Sequence, residues 1–159
     1  MNSHPSEESV IKKVHDALGL LLEKDMDLLY IDVAERTIAA KSAAYLQSLF
    51  PEWHVDVEYN RDGHNPKKIM LPYHRDFNPD NTANPTVSPD IIVHRRRTDN
   101  NLLVIEIKKS SNKNADEFKF DIFKLEGYKK YLHYRVALFI IMNTDSSLGV
   151  PYYLQEIHN

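Results

Sequence analysis

The chain has 159 residues, 42% of them hydrophobic and only four of them glycine, which suits one folded domain with a substantial core. It contains no cysteine, so disulfides, thiolate metal sites and a cysteine nucleophile are excluded. The formal net charge of -3 does not advertise a polyanionic partner, although whole-chain charge averages over faces that differ locally.

No apolar run approaches the roughly 18 residues that a membrane helix needs. Residues 1–8 are polar and acidic, without the apolar stretch of a secretory signal. The expectation is a cytoplasmic protein with no membrane partner.

Residues 6–24 read as a helix. Ser6 can cap it, Glu7 and Glu8 suit its positive end, and Val10, Val14, Ala17 and Leu21 make an apolar stripe. A second helix is expected over residues 32–50, stopping at Pro51, with Ile31, Ile38, Tyr45 and Leu49 in period. Residues 53–59 alternate enough to be a strand. Residues 60–87 carry Pro66, Pro72, Pro79 and Pro85 and read as a long loop insertion, in which only residues 69–71 look able to pair.

Residues 89–95 and 102–108 read as two strands around a turn at 97–101. Residues 116–132 form a helix with Phe120, Phe123, Leu125 and Tyr128 on or near one side. Residues 135–142 make a strand apolar enough to be buried on both faces, and residues 151–157 offer a last edge strand. The predicted order is helix, helix, three strands, helix, strand.

The chemistry concentrates in the hairpin. Asp90, Glu106 and Lys108 sit in or beside runs of Ile, Val and Leu, where an ionised group is costly unless paired. A divalent cation shared by Asp90 and Glu106 would pair both carboxylates. Lys108 lies on the same strand face as Glu106, because side chains repeat every two residues. The bland alternative is a wet stripe on one face of an antiparallel sheet. Register separates the two. A two-residue turn at Asp99-Asn100 sets Asp90 opposite Lys109, on the wrong face. A three-residue turn at Thr98 to Asn100, with Asn100 left-handed, sets it opposite Lys108 on the right one. A metal site therefore requires the three-residue turn or a bulge.

Pro89-Asp90 followed by Glu106-Ile107-Lys108 resembles the two half-motifs of the PD-(D/E)XK nuclease superfamily. With the flanking elements, the resemblance runs from Asp32 to Met142. It implies an α/β, restriction-endonuclease-like core of order α-β-β-β-α-β. A mixed central sheet would be flanked by helices, here with an extra N-terminal helix. It also implies Mg²⁺ (Mn²⁺ as substitute) held by Asp90, Glu106 and the Ile107 backbone carbonyl. Lys108 would orient the attacking water and stabilise developing charge. The implied reaction is phosphodiester hydrolysis, with DNA as the expected partner and a homodimer or a recognition partner beside it. Two other classes stay open: a binding module that kept the fold without catalysis, and a structural subunit of a larger complex.

Other residues carry two readings. The resemblance makes Glu35 a possible extra metal ligand, whereas Asp32-Val33-Ala34-Glu35 has the spacing of a capping box. Glu58 reads as an edge carboxylate, and Lys109 as a surface charge or phosphate contact. Asp121 and Lys124 either support the site or form a solvated i,i+3 pair, and the solvated pair is the favoured reading. Arg95, Arg96 and Arg97 read first as a wet hairpin tip. With Arg61, Lys67, Lys68, His74 and Arg75 they would also line a phosphate path, interleaved with Tyr59, Tyr73 and Phe77 for base stacking. His94 reads as core or surface, and no histidine spacing suggests zinc.

Overall fold

The computed structural model describes residues 4–59 and 88–158, and between them the backbone of residues 61–62 and 65–66. The element order is α1 (Glu7–Tyr30), α2 (Glu35–Leu49), β1 (His54–Val57), β2 (Arg61–Asp62), β3 (Asn65–Pro66), β4 (Ile91–His94), β5 (Asn101–Lys109), α3 (Ala115–Leu132), β6 (Val136–Met142) and β7 (Tyr152–Glu156). β1, β4, β5, β6 and β7 form one sheet in that order. All its pairings are antiparallel except β5 with β6, which is parallel and is connected through α3. β2 and β3 pair only with each other. The expected strand at 69–71 lies outside the described residues. No helix among the described residues is long and apolar enough to cross a membrane.

Three helices flank the mixed sheet. One face packs Ile91, Val93, Leu103, Ile105, Ile107, Leu138 and Ile140 under α1 and α2. The other packs Ile92, Val104, Ala137 and Phe139 under Leu125 and Tyr128 of α3. Apolar burial on both faces explains why β5 and β6 read as continuous hydrophobic runs, and this burial is the main stabilising term. Because β5 alternates, Glu106 and Lys108 must point to the α3 face, where a polar group needs a polar partner.

The ends of α1 and α2 differ from expectation. Ser6 does cap α1, accepting from the Ser9 N–H at 3.1 Å. The helix continues past residue 24 to Tyr30, with a kink at Asp25 (φ -131°, ψ 27°), which accepts the Tyr45 hydroxyl. Ile31 is the C-cap of α1 and is 69% exposed, so it does not belong to the α2 stripe. Asp32 is left-handed (φ 54°), which ends any helix there, and α2 starts at Glu35 with Ala34 as an N-cap lacking a side-chain bond.

The hairpin uses neither expected turn. The Arg95 N–H bonds the Asn100 carbonyl at 3.0 Å, so the loop is four residues, Arg96 to Asp99. Arg97, not Asn100, takes the left-handed conformation (φ 58°). Thr98 Oγ closes the loop by donating to the Arg95 carbonyl and accepting from the Asn100 N–H. On its own, this loop would set Asp90 opposite Ile105. A bulge corrects it: His94 pairs with Asn101 but Val93 with Leu103, leaving Leu102 as the extra residue. Continued one step past Ile91–Ile105, the shifted register sets Asp90 opposite Glu106. Leu102 and Leu103 can then both join the core under α1 and α2, which strict alternation forbids.

Ile38 is fully buried where α2 meets the sheet. Ile38→Ala should cost about 2–5 kcal/mol through lost burial and the cavity left behind. Urea unfolding checks this, with the midpoint falling and the slope unchanged.

Candidate functional site

Asp90 directly precedes β4, and its side chain takes over where the backbone ladder stops. Its Oδ2 accepts the Ile107 N–H at 2.8 Å. The N–H and C=O of one strand residue face the same edge, so the Ile107 carbonyl also faces the side on which Asp90 lies. The Asp90 backbone carbonyl accepts the Glu58 N–H at 3.2 Å, which ties β1 to the same end of the hairpin.

Glu106 is 0% exposed. Its carboxyl lies beside that of Asp90, and the Lys124 ammonium is 3.2 Å from Oε1. Neither Glu106 oxygen accepts a well-aligned hydrogen bond among the described residues. Burial first of all, and then the Asp90 and Asp121 carboxylates, push its carboxyl well above the usual range; Lys124 opposes this without overcoming it.

Lys108 lies one side chain further along the same face. Its ammonium is 2.9 Å from Asp121 Oδ2 and 3.6 Å from Glu35 Oε1. Burial draws its pKa down, but Asp121, with Glu35 and Asp90, more than offsets that, so the group is held charged above its ordinary value. Lys124 is held charged in the same way: burial lowers its pKa, and Glu106, Asp121 and Asp90 raise it further.

Asp121 and Lys124 overturn the favoured solvated reading. They do form an i,i+3 pair at 3.3 Å, but both turn inward onto the carboxylates. The signal was available in the sequence, because Asp121, Leu125 and Tyr128 lie at helical spacings of four and three and share the buried face of α3. The Tyr128 hydroxyl is buried near Glu106 and has no hydrogen-bond partner among the described residues. Burial chiefly, and then the Glu106 and Asp90 carboxylates, push its pKa far up.

Glu35 is not part of a capping box. Its Oε2 accepts the Lys109 N–H at 2.8 Å, while the Asp32 N–H bonds Leu29 instead. The first turn of α2 is thereby fastened to the end of β5, and Glu35 joins the site through Lys108. Lys109 pairs with Asp32 Oδ1 at 3.1 Å, and the Ser111 hydroxyl donates to the same oxygen. Those two partners, Ser111 first, hold the Asp32 carboxyl below the usual range. Beyond them, Asp145 accepts from the Ser110 and Ser147 hydroxyls and from Lys113, which depress its carboxyl in that order.

Of the basic residues assigned to a phosphate path, Arg95 and Arg96 are engaged elsewhere. Arg95 lies over the Trp53 ring at 4.4 Å, and Arg96 Nε donates to Asp56 at 2.9 Å. Both belong to the turn end of the hairpin, about 16–20 Å of strand from Asp90. Asp56 also pairs with the fully buried His94 at 2.7 Å, which makes that histidine a core residue. Glu58 forms an exposed pair with Arg36, in keeping with an edge carboxylate. The side chain of Arg61, together with Lys67, Lys68, His74, Arg75, Tyr73 and Phe77, lies outside the described residues.

The cluster thus joins Glu35, Asp90, Glu106 and Asp121 with Lys108 and Lys124. Fully ionised, four carboxylates against two ammonium groups leave two negative charges. Among the described residues, no three carboxylates or imidazoles group closely enough to enclose an ion by themselves. Mg²⁺ does not need such a cage, since it uses one or two carboxylates and fills its remaining positions with water and other oxygens.

The raised Glu106 carboxyl makes a signed prediction. A buried acid with a raised folded-state pKa burdens the fold increasingly as pH climbs from the unfolded value of 4.5 through the raised one. In EDTA, Glu106→Gln should therefore melt at a higher temperature than the parent at neutral pH. That gain should shrink as the pH falls toward 4.5. A pH-independent difference in calorimetric Tm counts against this picture.

No protein-family model, curated protein or solved structure matches this chain.

Proposed function

We propose that this chain is a divalent-metal-dependent nuclease of the PD-(D/E)XK superfamily, with a restriction-endonuclease-like core and DNA as substrate. One observation carries the reading: the fully buried Glu106 carboxyl, its two oxygens lacking aligned hydrogen-bond donors among the described residues, beside Asp90 and on the same sheet face as Lys108. Burying an acid in this way is costly, and perturbed ionisable groups concentrate at functional sites. With the separate β2–β3 pair set aside, the order α2, β1, β4, β5, α3, β6 is the one expected of an α-β-β-β-α-β core, with α1 as the extra N-terminal helix.

Asp90, Glu106 and the Ile107 carbonyl fit Mg²⁺, since all three are hard oxygen donors where the start of β4 meets β5, and the carboxyl groups of the cluster outnumber its ammonium groups. When bound, the ion activates a water and neutralises charge on a phosphodiester. The chain's own residues supply the rest. Lys108 presents a compact ammonium that orients the water and meets negative charge developing on phosphorus. Asp121 and Glu35 hold that ammonium in place from two helices. Glu35 acts as a positioning residue, because Lys109 N–H occupies one of its oxygens and Lys108 lies at the other. Asp90 is fixed by the Ile107 N–H, so its carboxylate is oriented without further ordering cost.

The second reading, a binding module without turnover, draws on Arg95 and Arg96 being engaged within the chain. It also draws on Lys108 and Lys124 already being paired with carboxylates.

The purified protein should cleave DNA in Mg²⁺ or Mn²⁺ and be inactive in EDTA. Lys108→Ala should retain ion binding and lose about 10²–10³-fold in turnover, since the lysine acts on the transition state. Asp90→Ala should lose both ion binding and cleavage. Gel assays on DNA and RNA decide the matter: if every substrate survives both metals, the module reading stands instead.

A further inference from the structure

Among the described residues, one cation lies against Glu106, and it belongs to the chain itself. Lys124 Nζ is 3.2 Å from Glu106 Oε1 and 3.3 Å from Asp121 Oδ1. Its side chain is only 12% exposed and its ammonium lies 5.6 Å above the Phe120 ring. The two lysines of the cluster differ in how they are held. Lys108 stands on a central strand, between Asp121 and Glu35 on opposite sides. Lys124 reaches in from α3 on a four-carbon stem, and its two partners, Glu106 and Asp121, belong to β5 and to its own helix. A divalent ion sits about 2.1 Å from its carboxylate oxygens. An ammonium against the same carboxylate would then face a doubly charged neighbour across one oxygen, with little water between to screen the repulsion. The two cations therefore compete for Glu106.

We propose that Lys124 is an exchangeable internal cation: its ammonium gives up Glu106 when Asp90 and Glu106 take up a divalent ion, and remains with Asp121 at the rim of the site. This rests on the metal-site reading above. After the exchange, Asp121 carries both ammonium groups, one on each oxygen, as it already does with Lys108 on Oδ2 and Lys124 on Oδ1. Lys124 then changes from a counter-charge for Glu106 to a second positive group facing the phosphate. The same contact makes ion affinity moderate, because each ion bound must displace a resident charge.

Calcium titration by calorimetry tests the exchange without reference to turnover. Lys124→Gln removes the competing charge and should bind Ca²⁺ about tenfold more tightly than the parent, while Lys124→Arg keeps the charge and should bind with the parent's affinity. Equal or weaker binding by Lys124→Gln, with the parent binding normally, overturns the exchange and leaves the metal site standing. If neither protein binds Ca²⁺, the metal site and the exchange both fall.

Glutamine at this position can prevent folding by leaving Glu106 without a cation. The parent protein is therefore read as well, by acetylating its lysines in EDTA and in saturating Ca²⁺ and locating the modified residues by mass spectrometry. Lys124 should gain several-fold in reactivity with Ca²⁺ while Lys108 stays protected. Unchanged protection of Lys124 in a protein that binds Ca²⁺ overturns the exchange.

Discussion

The burial of the Glu106 carboxyl governs the α3 side of this protein. It sits on the central strand pair with no exposure, where an uncompensated charge costs several kcal/mol. Its neighbours follow from that. α3 turns Asp121 and Lys124 inward, against the ordinary preference of charged groups for solvent, because the sheet face they cover is itself charged. Lys108 is drawn to Asp121 for the same reason. The resulting network runs Glu35, Lys108, Asp121, Lys124, Glu106, Asp90 and spans α2, β5, α3 and the start of β4.

Much of this was legible in the sequence. The alternation Glu106-Ile107-Lys108 puts the two charged groups on one face whatever the fold, and the apolar runs around them place that face against another layer. The order of the helices and of the main-sheet strands was legible too, from period and from prolines, but the short β2–β3 pair inside the expected loop was not. The hairpin register was not. It depends on a four-residue turn, which alone would set Asp90 opposite Ile105, and on a bulge, which shifts the pairing by one and returns Asp90 to the face of Glu106. Arg97 takes the left-handed position, for which arginine carries no sequence signal; the adjacent Leu102 and Leu103 were the one visible hint of a bulge.

The local alternatives that fail for Glu35, Asp121 and Lys124 share a physical cause. Each residue fits a local pattern that is stable in an isolated helix: a capping box for Glu35, an i,i+3 pair for Asp121 and Lys124. Local patterns say which contacts are available, and tertiary structure decides which are used. Asp32 in a left-handed conformation cannot serve as a cap, so Glu35 is released to bind the end of β5. Asp121 and Lys124 keep their mutual contact and add a second partner each, so the pairing was right and the solvation wrong.

A structural ion-pair network is the natural rival to a functional one, and charge balance separates them. Buried ion pairs are often no more stabilising than apolar residues of the same volume, so a network retained for stability should at least be neutral and hydrogen-bonded. Among the described residues this one falls short of that: four carboxyl groups face two ammonium groups, burial drives the most buried of them toward its neutral form, and neither its oxygens nor the Tyr128 hydroxyl beside it has an aligned hydrogen-bond partner. Such an arrangement stores unfavourable energy that an arriving cation would release. On the metal-site proposal, the same burial that weakens the fold would favour an arriving cation, and Lys124, 3.2 Å from Glu106 Oε1, already occupies that position.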